Sequence, residues 1–93
     1  MAHGWSRRAT DGVVTESPAI LYAVAGYRAT AGVIADIYDG QDAASGRKLM
    51  TLAGAAYITS QVLFGRDGIF MPRGIYVDMQ TGGLEVILVY DAL

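Results

Sequence analysis

Short apolar runs with a period of two, each closed by a glycine-containing turn, constrain this 93-residue chain more than any other feature. Ile75, Val77 and Met79 oppose Tyr76 and Asp78; Leu84, Val86 and Leu88 share one face; Val33, Ala35 and Ile37 alternate with Ile34, Asp36 and Tyr38. A period of two sends successive side chains to opposite sides of an extended chain, so these runs read as β-strands with one face inward. Between them lie Asp39-Gly40 through Ser45-Gly46, Arg66-Asp67-Gly68 and Thr81-Gly82-Gly83, whose residues suit turns. The last of these predicts a β-hairpin joining Ile75–Met79 to Leu84–Tyr90.

The remaining runs extend the pattern. Val13 to Glu16 is short and β-branched, and Lys48 to Ala53 carries Met50 and Leu52 on one face. Tyr57 to Phe64 points Ile58, Val62 and Phe64 inward and Thr59 and Gln61 outward; Ile69 to Met71 stops at Pro72. Ala19 to Tyr27 is apolar on both faces, with Ile20, Tyr22 and Val24 opposing Leu21, Ala23 and Ala25. Its alanines would suit a helix, but Ile, Tyr and Val at the larger positions and Gly26 within the run favour a strand. Such a strand is covered on both sides or lies under a neighbouring subunit. Seven to eight short strands at roughly 8–12-residue spacing predict an antiparallel β-sandwich or jelly-roll-like barrel. The domain occupies residues 12–93, after an extended N-terminal arm of residues 1–11.

Composition adds a demand for a partner. Apolar residues make up 53% of the chain, yet a domain this small buries only about 60–65% of the surface its unfolded chain exposes. The surplus is expected to rest on another subunit. With no cysteine there is neither a disulfide framework nor a thiolate metal site, so stability must come from packing or association. A net charge of −2 argues against direct nucleic-acid binding. No apolar segment of signal-peptide type follows the opening basic residues, and the stretch from Pro18 to Tyr27 is too short to span a bilayer. No membrane association is expected, and synthesis in the cytoplasm is.

Catalytic chemistry is hard to place. His3, the single imidazole, lies in the arm, so a serine nucleophile in the domain has no positioned base. Gly65-Arg66-Asp67-Gly68 lacks the lysine and the strand–helix setting of a phosphate loop. Neither an enzyme nor a cofactor is expected. Asp39 and Asp42 could offer oxygen ligands to calcium, but their spacing is not that of an EF-hand and ordinary turn chemistry accounts for them better. Tyr22, Tyr38, Tyr57, Tyr76 and Tyr90 could line a sugar-binding face; each falls inside a strand, where cross-strand packing accounts for it.

The order of elements also carries a resemblance. Leu21-Tyr22-Ala23-Val24 leads to Val33-Ile34-Ala35-Asp36-Ile37-Tyr38-Asp39-Gly40, then to the loop Ala43-Ala44-Ser45-Gly46 before Lys48-Leu49-Met50. Phe70 precedes Gly74-Ile75-Tyr76-Val77-Asp78, and a final strand ends in Val89-Tyr90. Over residues 19 to 91 this resembles the small β-sandwich structural proteins of tailed bacteriophages, among them head decoration, or cement, proteins. The resemblance implies a non-enzymatic virion protein at the capsid surface that binds the major capsid protein or another virion protein. It also implies symmetric self-association, with a trimer suited to a three-fold capsid site. A carbohydrate- or host-surface-binding module of a fibre or tail is the alternative.

Contact residues follow from exposure and chemistry. Trp5, Arg7 and Arg8 form an aromatic and basic group in the arm; Trp5 either packs on its own domain or anchors a neighbouring subunit. Leu21, Ala23 and Tyr27, in the run with two apolar faces, complete the expected interface.

Overall fold

Nine strands run through the computed structural model, which describes residues 4–8, 12–28, 34–53, 60–79 and 84–93. In chain order they are β1 (Gly4–Arg8), β2 (Gly12–Thr15), β3 (Ala19–Arg28), β4 (Ile34–Asp39), β5 (Arg47–Ala53), β6 (Ser60–Leu63), β7 (Ile69–Met71), β8 (Ile75–Met79) and β9 (Leu84–Ala92). They form two antiparallel sheets. One has the order β1-β9-β3-β6, with β7 also pairing β3; the other has the order β2-β8-β4-β5. The expected β-sandwich is present.

Its core is the inward set of both sheets. Ala19, Leu21, Val24, Val86 and Leu88 from the five-stranded sheet meet Ala35, Ile37, Leu52, Ile75 and Val77 from the four-stranded one, all buried, with Met71. The alternation expected for β4, β8 and β9 is therefore the alternation observed. Tyr57, Ile58 and Thr59 lie outside the described residues, as do Val33 and the turn Thr81-Gly82-Gly83.

Three expectations need correction. First, β8 and β9 do not form a hairpin. β8 lies between β2 and β4 and β9 between β1 and β3, so each has both edges occupied, in different sheets. Both strands send apolar residues to one core, but from opposite sides of it. Second, the face assignment for Ala19 to Tyr27 holds for only half the strand. A bulge at Tyr22 shifts the register between Leu21 and Ala23, so Ala19 and Leu21 point inward before it and Val24 after it. One extra residue reverses the phase of every side chain beyond it. Third, Gly4–Arg8 pairs continuously with β9 of the same chain, from Gly4↔Tyr90 to Arg8↔Val86. This part of the expected arm is a ninth strand and an edge of the sandwich.

The outer face of the four-stranded sheet is polar. Asp36 is opposite both Thr51 and Asp78, and its carboxylate is buried. The Thr51 hydroxyl donates to Asp36 Oδ1 at 2.6 Å and Lys48 Nζ stands 3.5 Å from Oδ2, so the burial is compensated. Tyr38 and Tyr76, directly opposite each other on β4 and β8, pack edge to face with centroids 6.3 Å apart.

Candidate functional site: the outer face of the five-stranded sheet

Residues directly opposite in an antiparallel pair point to the same side, so the registers place side chains across the sheet. Trp5 is opposite Val89, Val89 is opposite Ala23, and Ala23 is opposite Leu63. Leu88 and Val24, the neighbours of Val89 and Ala23, are in the core, so this row faces away from it. Four apolar residues thus cross β1, β9, β3 and β6 without a polar interruption. At about 4.8 Å per strand the row is about 14 Å long. Its two ends are the most exposed: Trp5 at 68% and Leu63 at 70%.

Adjacent rows widen the patch. Ile87, 42% exposed, is opposite Ala25, which is opposite Gln61. On the other side Asp91 is opposite Ile20, and Ile20 is opposite Phe70, itself 59% exposed. The bulged Tyr22 hydrogen-bonds to Asp91; desolvation, then the nearby Asp91 charge, raises the phenol above its ordinary value of 10.0. Asp91 Oδ1 also accepts a long hydrogen bond from Gly4 N, at 3.4 Å. Gly4, Trp5, Tyr90, Asp91, Ala92 and Leu93 line an open depression at this corner. The face is therefore apolar along its middle row, with Asp91 beyond that row on one side and Gln61 and Glu85 beyond it on the other.

The expected contact residues divide. Trp5 and Ala23 belong to the row. Arg7 and Arg8 lie in β1, in register with Ile87 and Val86, but their side chains lie outside the described structure, as does that of Tyr27, which is in register with Glu85. Leu21 is completely buried in the core of its own chain and offers a partner no surface. The face also contains residues that were not anticipated: Leu63, Phe70, Ile87 and Val89. For Leu63 a signal was present, because it shares the outward parity of Gln61. For Ile87 it was the opposite parity to Val86 and Leu88.

A second depression is polar, and is lined by Glu16, Gly40, Gln41, Asp42, Ser45, Pro72 and Arg73. Asp42 Oδ1 accepts from Ser45 N at 2.7 Å and from Ser45 Oγ at 2.8 Å; these bonds, led by the backbone one, hold its pKa below 3.8. Arg73 N donates to Asp39 Oδ1 at 2.9 Å and Arg73 Nη1 to Ser45 O at 3.2 Å. Asp42 thus accepts donors from its own turn and Asp39 one from the turn before β8, and the depression is a junction between loops. Among the described residues no group of three or more histidine, cysteine, aspartate or glutamate side chains is placed to hold a metal ion.

No protein-family model matches the sequence, and no curated protein matches it. Among solved structures the chain is similar to a carbohydrate-binding module from Cellvibrio mixtus lichenase 5A, solved in complex with cellotriose. That similarity covers 99% of this chain and 72% of the module, at 15% identity and a TM-score of 0.48.

Proposed function

We propose that this protein is a non-catalytic docking module that lays the outer face of its five-stranded sheet on a protein lattice. The lattice is the head shell of a tailed bacteriophage, whose decoration proteins the sequence resembles; the partner is the major capsid protein or another virion protein. The supporting observation is the unbroken row Trp5–Val89–Ala23–Leu63, with Ile87 and Phe70 beside it. Scattered exposed apolar residues are ordinary, but a contiguous group on one flat face is characteristic of a protein–protein contact. Aromatic residues are also favoured at the centre of such contacts.

Purified particles that carry the protein test this reading. Leu63→Asp should retain the far-ultraviolet spectrum of the native chain, because Leu63 is mostly in water already. It should nevertheless lose co-sedimentation with particles, since docking now buries an unpaired carboxylate. Binding of Leu63→Asp as tight as that of the native chain overturns the proposal.

A second reading has one observation in its favour. Trp5 and Asp91 flank the same corner depression, and an aromatic ring beside a carboxylate offers a sugar both an apolar platform and a hydroxyl acceptor. Under that reading Trp5→Ala abolishes oligosaccharide binding in calorimetry while Leu63→Asp leaves it intact.

A further inference from the structure

Each sheet has two edges, and an edge with an unpaired row of backbone groups is a template for another strand. Three of the four edges here are blunted. On the far side of the five-stranded sheet the edge is split between β6 and β7, with residues 64–68 between them and Gly65 and Gly68 at positive φ. β2 has four residues, and its register is broken between Val13 and Thr15. β5 opens with Arg47 and Lys48, and its pairing with β4 is shifted between Ile37 and Tyr38. Charged residues, bulges and interruptions are the usual ways of making an edge unfit for pairing.

β1 carries charge too, at Arg7 and Arg8, but its register is unbroken. All five of its residues are in continuous register with β9, it contains no proline or bulge, and β9 is its sole strand partner among the described residues. Its order, Gly4-Trp5-Ser6-Arg7-Arg8, is also self-complementary in a way specific to one register. Two antiparallel copies related by a two-fold axis at Ser6 pair every residue: Ser6 with Ser6, Trp5 with Arg7, Gly4 with Arg8. Each Trp5 then takes the register position opposite Arg7 of the second copy, and this pairing occurs twice. Slipping by two residues, the smallest step that keeps side chains on their own faces, sets Arg7 against Arg7 or Trp5 against Trp5 and pairs only three of the five residues.

We infer that two copies of this chain pair through β1, antiparallel about Ser6, to form a two-fold dimer with one continuous ten-stranded sheet. The axis is perpendicular to the sheet, so both apolar outer faces lie on the same side and double the surface presented to a partner. The pairing is two-fold, where the resemblance implies a three-fold association. An isologous contact closes on itself, so the edge is consumed and no fibre grows. The pairing goes beyond the docking reading and does not depend on it.

The full chain in solution, without particles, tests the inference. Sedimentation equilibrium over a concentration series should show a monomer–dimer equilibrium. Trp5→Lys, which sets a cation against the second copy's Arg7 at both ends, should weaken it by at least about tenfold while leaving the circular dichroism unchanged. In this cysteine-free chain Ser6→Cys brings two thiols opposite each other. Opposed Cβ atoms in such a pair lie about 4.5–5.5 Å apart and a disulfide needs about 3.5–4.5 Å, so a closure of about 1 Å at this edge lets mild oxidation give a disulfide-linked dimer. Ser45→Cys, on an exposed turn in the other sheet, should not. A native chain that sediments as a monomer or a trimer, together with Ser6→Cys cross-linking no faster than Ser45→Cys, overturns the inference. Leu63→Asp lies at the opposite edge and leaves this dimer intact, so the two proposals fail separately.

Discussion

Trp5 and Leu63 stand at opposite edges of one sheet, 58 positions apart in sequence, yet in a single cross-strand row joined by Val89 and Ala23. They are also the two most exposed large apolar residues among those described. The β-sandwich core is closed without either of them. Their exposure is thus not a failure of packing; it leaves one sheet with an apolar outer face while the other sheet presents Asp36, Thr51 and Asp78 in the corresponding position.

The register of β8 can be checked by paired substitutions. Val77 is fully buried, whereas Tyr76, on the opposite face, is half-buried against Tyr38. Val77→Asp forces a carboxylate into the core and should destabilise the fold by more than about 4 kcal/mol, enough to unfold a marginal domain. Tyr76→Ser should cost about 1–3 kcal/mol, from lost ring packing. Urea titration followed by circular dichroism measures both; equal effects would show that the register is one residue out.

Two glycines with positive φ should differ in how they respond to alanine. Gly74 has φ +104, and a Cβ there meets the carbonyl oxygen of Thr15, a backbone atom that cannot move aside. Gly74→Ala should cost more than about 3 kcal/mol, because steric overlap adds to the conformational strain. Gly65 has φ +82 and open space around the added methyl, so Gly65→Ala should cost only about 1–2 kcal/mol. Thermal melts of the two variants give the comparison, and a milder effect at Gly74 than at Gly65 would contradict the packing of the β7–β8 turn on β2.

Acid stability should depend on the Asp42–Ser45 turn. The Ser45 hydrogen bonds lower the Asp42 pKa in the folded chain relative to the unfolded one. The stabilisation is therefore fully present above the unfolded value near 3.8 and is lost as pH falls through the lower folded value. Ser45→Ala removes the hydroxyl donor and leaves the backbone one, so its stability should fall less steeply below pH 3.8 than that of the native chain. Parallel slopes of denaturation midpoint against pH in the two proteins would show that this turn does not contribute.

Local sequence determined the strands from β2 onward and most of their inward faces, but not β1, whose five residues carry no alternation. In β4, β8 and β9 alternation alone identifies Ala35, Ile37, Ile75, Val77, Val86 and Leu88 as core, because an extended chain has one periodicity and one apolar face per strand. Tertiary structure decided which strands are neighbours. Thr81-Gly82-Gly83 has the chemistry of a hairpin turn, yet β8 and β9 belong to different sheets, since a sandwich core accepts inward residues from either side and short-range pattern cannot distinguish the sides. The bulge at Tyr22 was equally hidden. It is defined by the partner residues of β9, and it moved Leu21 from the expected surface into the core. The outer face was only half legible for the same reason: parity marks Leu63 and Ile87 as outward, but only strand order across the sheet brings Leu63, Ala23, Val89 and Trp5 into one row. That order rests on backbone hydrogen bonds between segments far apart in the chain, which every residue except proline can make, and so it leaves little trace in residue type.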